Sequence, residues 1–223
     1  MKPTRVRSTR PKELPDRLKP RKSPSQARSR ALVDAILEAA TRILRERGWE
    51  ATTMARVAEV AGISIGSLYQ YFPDKVSLGA TLIERHSDRE LAFHIERFAQ
   101  IDPHASLRDV IATVVRLPLE FQALDRSVHR ALLQAMPHVG RHPLLVERVR
   151  ASAAGLRMLL ERHAPEIAHP DLDLATHVLV NAIHSLTHDG VLPRPEDLSD
   201  ERLAGEVERL LVGYLRLSEP RRT

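Results

Sequence analysis

Between residues 33 and 44, Val33, Ile36, Leu37, Ala40, Ile43 and Leu44 recur at i, i+3, i+4 and i+7. That spacing puts all six on one face of an α-helix. The same period returns wherever Pro or Gly does not interrupt it, and no strand signal or internal repeat stands out. This regularity constrains the fold more than any other feature, because side chains repeating at 3.6 residues are buried by packing helix on helix rather than by pairing strands. Aromatic residues are only 4% of the chain, while Ala and Leu abound, and that bias also favours helices. The expected fold class is all-α with about nine helices. At 223 residues the chain accommodates a small domain joined to a larger one.

Caps and breakers divide the pattern. Ser23, Pro24 and Gln26 read as a helix start with a capping box, and Gly48 as the C′ residue that ends that helix. Thr53 caps a short second helix, which Gly62 breaks. Ser64 caps a third that reaches about Phe72. After Pro73, Asp74 caps a long fourth helix over 75–99. Ser106 with Asp109 opens a fifth reaching about Leu124, in which Pro118 marks a kink or a boundary. Helices are expected over about 127–136, 144–163, 171–188 and 200–217, with a turn over 137–143 and loops around Pro165, Pro170 and 190–195. Helix 171–188 is apolar on most sides, which implies burial on more than one face. The domains follow: 1–22 a disordered basic arm, 23–73 a three-helix head, 74–223 a helical body.

Charge is unevenly spread. The first thirty residues hold eleven Lys and Arg against Glu13 and Asp16, and the remainder is mildly acidic. A basic arm on such a body points either to a polyanion or to a solvated tail that aids solubility. No cysteine is present, so a disulfide framework and a thiolate metal site are both excluded. No N-terminal apolar segment resembles a secretory signal, and the run 174–188 is too short and too polar to span a bilayer. A cytoplasmic protein is expected.

The informative segment is 52–78, TTMARVAEVAGISIGSLYQYFPDKVSL. Two short helices joined by a tight turn containing Gly62 describe a helix-turn-helix. Ala58 and Ala61 let the two helices approach closely, and Val57, Ile63, Leu68 and Phe72 fill the core beneath them. The second of these helices is too short to bury Ile65, Gly66, Ser67, Tyr69, Gln70 and Tyr71 together. An exposed helix of that size fits a major groove, about 12 Å wide. Gln70 suits adenine, Gly66 allows close backbone approach, and Lys75 sits at a helix N-terminus whose free N–H groups favour a phosphate.

Thr53, Val57-Ala58, Ala61-Gly62, Ser64, Gly66, Leu68-Tyr69, Tyr71-Phe72 and Lys75 together resemble the N-terminal domain of the TetR/AcrR family of bacterial regulators, over about 26–78. Ile63 stands where valine is commoner. The resemblance implies a homodimer paired through its last two helices, with helix four coupling a pocket in the body to the separation of two DNA-binding heads. It implies base contacts from Ile65, Gly66, Ser67 and Gln70, and phosphate contacts from Thr53, Arg56, Tyr69, Tyr71 and Lys75. The expected partners are a palindromic double-stranded DNA operator, a second copy of the chain and a small-molecule effector. The third helix carries no Arg or Lys, so readout there rests on apolar, hydroxyl and amide contacts plus DNA shape.

Candidate pocket residues are Phe93, Phe121, His129, Met136 and Met158. His177, Asn181, His184 and His188 form a stripe on one helix face. It suits zinc, a buried seam or solvent, and with no carboxylate inside it the reading taken is a polar stripe at the pocket or the dimer seam. No metal, cofactor or catalytic residue is expected, since neither a nucleophile elbow nor a phosphate-cradling glycine loop occurs. The rival reading is a helical small-molecule-binding protein or enzyme that does not bind DNA.

Overall fold

The structure, a computed structural model, describes residues 27–140, 143–187 and 198–216. The expected arm, the helix start at Ser23, His188 and the 190–195 loop lie outside the described residues. Among those described there are nine α-helices and no strand: α1 Ala27–Ala51, α2 Met54–Val60, α3 Ile65–Tyr71, α4 Lys75–Ala99, α5 Leu107–Leu124, α6 Arg126–Val139, α7 Pro143–Arg162, α8 Leu172–Thr187 and α9 Asp200–Arg216. A 3₁₀ turn at Ala164–Glu166 follows α7.

Local chemistry sets the starts. Thr53, Ser64, Asp74, Ser106 and Asp125 each accept a hydrogen bond from a backbone N–H in the first turn of the helix they precede. Each such cap contributes about 1 kcal/mol. At Asp74 the cap is reciprocal, because the Ser77 hydroxyl oxygen accepts from the Asp74 backbone N–H. Gly48 has φ 77° and ψ −179°, outside the helical region, so it ends the first helical stretch of α1 as expected, and a short turn carrying Trp49 and Glu50 follows across the kink.

Two apolar cores result. The head core joins Ile36, Leu37, Ile43 and Leu44 of α1 to Val57, Leu68 and Phe72. It is completed by Leu78, Leu82 and Ile83 of α4 and by Ala131, Leu132 and Ala135 of α6. The body core draws on α5, α7, α8 and α9, with Leu107, Ile111, Leu156, Leu160, Leu179 and Leu211 almost wholly buried. Each such leucine or isoleucine stabilises the fold by roughly 1.5–3 kcal/mol. The head is therefore not hung on a flexible stalk; α4 and α6 both enter its core.

Three expectations change. Helix α6 does not stop before Pro137 but runs to Val139, where Gly140 at φ 82° ends it. Proline in a last turn removes only one helical hydrogen bond. That turn is also pinned from outside, with His138 stacked on Trp49 at 5.6 Å. Helix α5 passes unbroken through Pro118, which excludes a boundary there. Finally, α8 is not buried on several faces of the single chain: Ala175, Leu179 and Ile183 are buried, while Leu174, His177, Asn181 and Leu186 are exposed.

Candidate functional site

The head presents α3 outward. Leu68, on its inner side, has no exposure, whereas Ile65, Gly66, Tyr69 and Gln70 are exposed and Ser67 is half-buried. Ser64 accepts from the Ser67 backbone N–H at 3.1 Å, and the two hydroxyls lie 2.8 Å apart, so the first turn of α3 is fixed before any partner arrives. Gly62, at φ 68°, supplies the left-handed turn residue between α2 and α3. Thr53 is exposed at the start of α2, and Arg56 follows it, half-buried, with Nη1 donating to the Ala51 carbonyl at 3.3 Å.

Two expected phosphate contacts lie in settings that their positions in the sequence did not show. Tyr71 is only 5% exposed and belongs to the head core, because Phe72 and Leu68 turn that side of α3 inward. Lys75 is not a free cation at a bare helix end. Its ammonium lies 4.4 Å from the Trp49 ring centroid and 4.0 Å from a Glu50 carboxylate oxygen. The Ser77 N–H beside it already donates to Asp74 at 2.7 Å. Trp49 in turn packs against Gly79, so Lys75, Trp49, Gly79 and His138 form one joint between head and body.

The body contains a cavity of about 260 Å³ bounded by α4, α5, α6, α7 and α8. Of the candidate pocket residues, His129 and Met136 line it and Phe93, Phe121 and Met158 do not. Phe121 is buried one layer behind, with its ring 5.1 Å from His86, and Phe93 packs on Phe121 at 5.7 Å. Met158 points to solvent at 68% exposure. The histidine stripe divides: Asn181 and His184 line the cavity at its open edge, while His177 is exposed beside Asn181, whose amide donates to the His177 carbonyl at 2.8 Å. Among the described residues no group of three His, Asp or Glu is placed to hold a metal ion.

Missed by residue-type reasoning is the polar stripe of α4. His86, Glu90 and His94 fall four apart and all line the cavity. His86 Nε2 meets His129 Nδ1 at 2.9 Å. Burial pulls His94 down to about 4; burial, helped by Arg89, does the same to His86. Burial also takes His129 to about 4, with His86 and His184 adding to it, and lowers His184. Burial pushes the Glu90 carboxyl up to about 7. Burial thus favours the neutral form of all four imidazoles and of the Glu90 carboxyl. The i, i+4, i+8 spacing on a helix was the available signal.

Residues 36–80 match the family model for bacterial regulatory proteins of the tetR family, and residues 106–215 match a tetracyclin repressor-like C-terminal domain. The regulator BetI of Burkholderia cenocepacia (strain HI2424) is 30% identical over 178 residues, covering 62% of this chain and 91% of BetI. The chain belongs to the TetR family. The regulator TtgR of Pseudomonas putida is 33% identical over 99 residues, 44% of this chain and 47% of TtgR, so the chain spans about half the length of that relative. A tetR-family regulatory protein from Rhodococcus RHA1 superposes with a TM-score of 0.62 at 16% identity, over 84% of this chain and 98% of the other. That likeness establishes a shared TetR fold.

Proposed function

We propose that the chain is a transcriptional regulator of repressor type, acting in the bacterial cytoplasm. As a homodimer it binds a palindromic double-stranded operator and leaves it when a small-molecule effector enters the body cavity. The observation that carries this reading is the exposed, pre-capped α3 on a head whose core is completed by α4 and α6, the two helices that also wall the cavity. Residues 23–73 act as the DNA-binding unit and 74–223 as the effector and dimerisation unit. Ile65, Gly66, Ser67 and Gln70 meet base edges; Thr53, Arg56, Tyr69 and Lys75 meet phosphates.

The mechanism is geometric. Two recognition helices must reach successive major grooves, about 34–36 Å apart. Leu132 belongs to the head core and lines the cavity, and Ile83 of α4 does the same, so a ligand that moves either wall moves the head. The effector lowers operator affinity by as much as it prefers the other head separation.

The test is fluorescence anisotropy on DNA from upstream of the protein's own gene. Saturable, competitor-resistant binding is expected; its absence overturns the reading and leaves the rival of a ligand-binding protein or enzyme without DNA. Gln70→Ala and Ser67→Ala should alter sequence preference, each by about 1–3 kcal/mol at the base they read. Lys75→Ala should weaken all sequences alike and flatten the dependence on salt. An unchanged salt slope would make Lys75 a structural cation of the Trp49 joint alone.

A further inference from the structure

The most polar wall of the cavity is α4; α5 adds only apolar residues, while α6, α7 and α8 mix apolar side chains with His129, Ser152, Asn181 and His184. Helix α4 contributes His86, Ser87, Glu90 and His94. Facing them are Val114 and Leu117 of α5, Leu132 and Met136 of α6, Leu156 of α7 and Val180 of α8. Among the described residues Glu90 is the sole carboxyl in the lining, and no Lys or Arg lines it. The remaining titratable groups there are imidazoles: His86 and His94 on α4, His129 on α6 and His184 on α8. His94 Nε2 is buried without a hydrogen-bond partner.

These features discriminate by charge. An anionic ligand would find a carboxyl and no cation, in a site where the field of a charge is weakly screened. A neutral ligand fits the apolar walls and can donate a hydrogen bond to ionised Glu90, but it leaves the buried charge without a counter-charge. A protonated amine gains a charge-assisted hydrogen bond to Glu90, and with the proton of His94 on Nδ1 a second N–H of the ligand satisfies Nε2. We propose that the cavity takes lipophilic amines in their protonated form, an apolar skeleton against the α5–α8 walls and its nitrogen on Glu90 between His86 and His94. The proposal rests on reading this cavity as the effector site and names the chemical class that site selects.

A pH signature follows. The Glu90 carboxyl, pushed up to about 7 by burial, must ionise to meet the cation, so amine binding strengthens from about pH 6 to pH 8 and releases a fraction of a proton near pH 7 that grows as pH falls. His86, His94 and His129, pulled to about 4, stay neutral across that range and add nothing to it.

Calorimetry on the full-length protein without DNA tests this with one skeleton and three heads: phenylbutylamine, phenylbutanol and phenylbutyrate. The amine should bind about tenfold or more tightly than the alcohol, with the carboxylate weakest. Buffers of differing ionisation enthalpy should reveal the released proton. Glu90→Gln should collapse the difference between amine and alcohol, and Glu90→Asp, which keeps the charge, should retain it. Equal or better binding of the carboxylate, an amine preference that survives Glu90→Gln, or no binding by any of the three overturns the proposal. Operator release is measured separately. An amine that binds as described yet leaves operator affinity untouched would sink the effector reading and leave the ligand class standing.

Discussion

At the scale of single residues, the joint between head and body is the most sensitive place in the molecule. A Cβ on Gly79 would stand 2.6 Å from two ring carbons of Trp49 and 3.0 Å from Val139 Cγ2. Alanine in mid-helix would ordinarily add about 0.8–1.0 kcal/mol over glycine. Here the ring cannot yield alone, because Lys75 lies over it and His138 stacks on it. Overpacking of this kind typically costs about 1–3 kcal/mol, so Gly79→Ala should be net destabilising. A lower urea midpoint with an unchanged slope is expected, together with weaker operator binding as the joint reseats α1 against α4. A midpoint higher than that of the parent protein would show that Trp49 swings aside freely. A second charged site behaves differently. Glu208 of α9 is nearly buried and accepts from Arg108 Nε at 2.8 Å, with Arg116 Nη1 at 3.8 Å. Both arginines reach solvent, so Glu208→Gln should lower stability by only about 1 kcal/mol, read from the same denaturation series.

At the scale of helices, the α4 stripe and its partner on α6 make stability depend on pH. His86, His94 and His129 have folded-state values near 4 against an unfolded 6.5, so the unfolded chain takes up protons that the folded chain refuses. Stability is therefore lost as pH falls from about 6.5 toward 4. Glu90 works the other way: raised to about 7, it contributes stability at low pH that is lost as pH rises from 4.5 through 7. Three histidines outweigh one carboxyl, leaving a net uptake of roughly two protons on unfolding near pH 5. Denaturation midpoints across pH 5 to 7 should show that slope, and Glu90→Gln should steepen it; a flat profile would mean that the histidines are solvated. The helices themselves are legible in the sequence because caps are local chemistry: Ser64, Asp74 and Ser106 announce α3, α4 and α5. Helix α6 outruns its sequence signal because Pro137 is a local stop that the distant Trp49 and Gly79 override. The exposed residues of α3 are legible from its shortness, whereas Tyr71 is not, because only the packing of Phe72 and Leu68 decides which tyrosine turns inward. The cavity is legible as a place but not as a lining. Residue type points to Phe93 and Phe121, yet the phase of α4 aims 86, 90 and 94 inward and carries 93 past the edge.

At the scale of the whole molecule, the single chain leaves apolar surface on the two helices that close the body. Leu174 and Leu186 of α8 are 50% and 42% exposed, and Leu210 of α9 is 55% exposed, while the opposite faces of both helices are sealed in the body core. Packed together, α8 and α9 form a two-helix face whose outward leucines have no counterpart among the described residues. A second copy applying the same face by a two-fold axis would bury them in a four-helix arrangement, and the same axis would relate two recognition helices. Because these leucines take no part in either core, Leu186→Glu with Leu210→Glu should leave helicity, measured by circular dichroism, intact. It should convert a dimer into a monomer in sedimentation at micromolar concentration, since like charges would then face each other across the axis. The effect on DNA follows from linkage of the two heads. Binding of the second head to a joined half-site is intramolecular and gains a factor of about 10²–10⁴ over independent binding. The double variant should therefore lose most of its affinity for a two-half-site operator while its weak affinity for an isolated half-site changes little. If the variant sediments as a dimer and holds the full operator as tightly as the parent protein, the copies pair through a different surface, and the spacing of the heads is set by something other than α8 and α9.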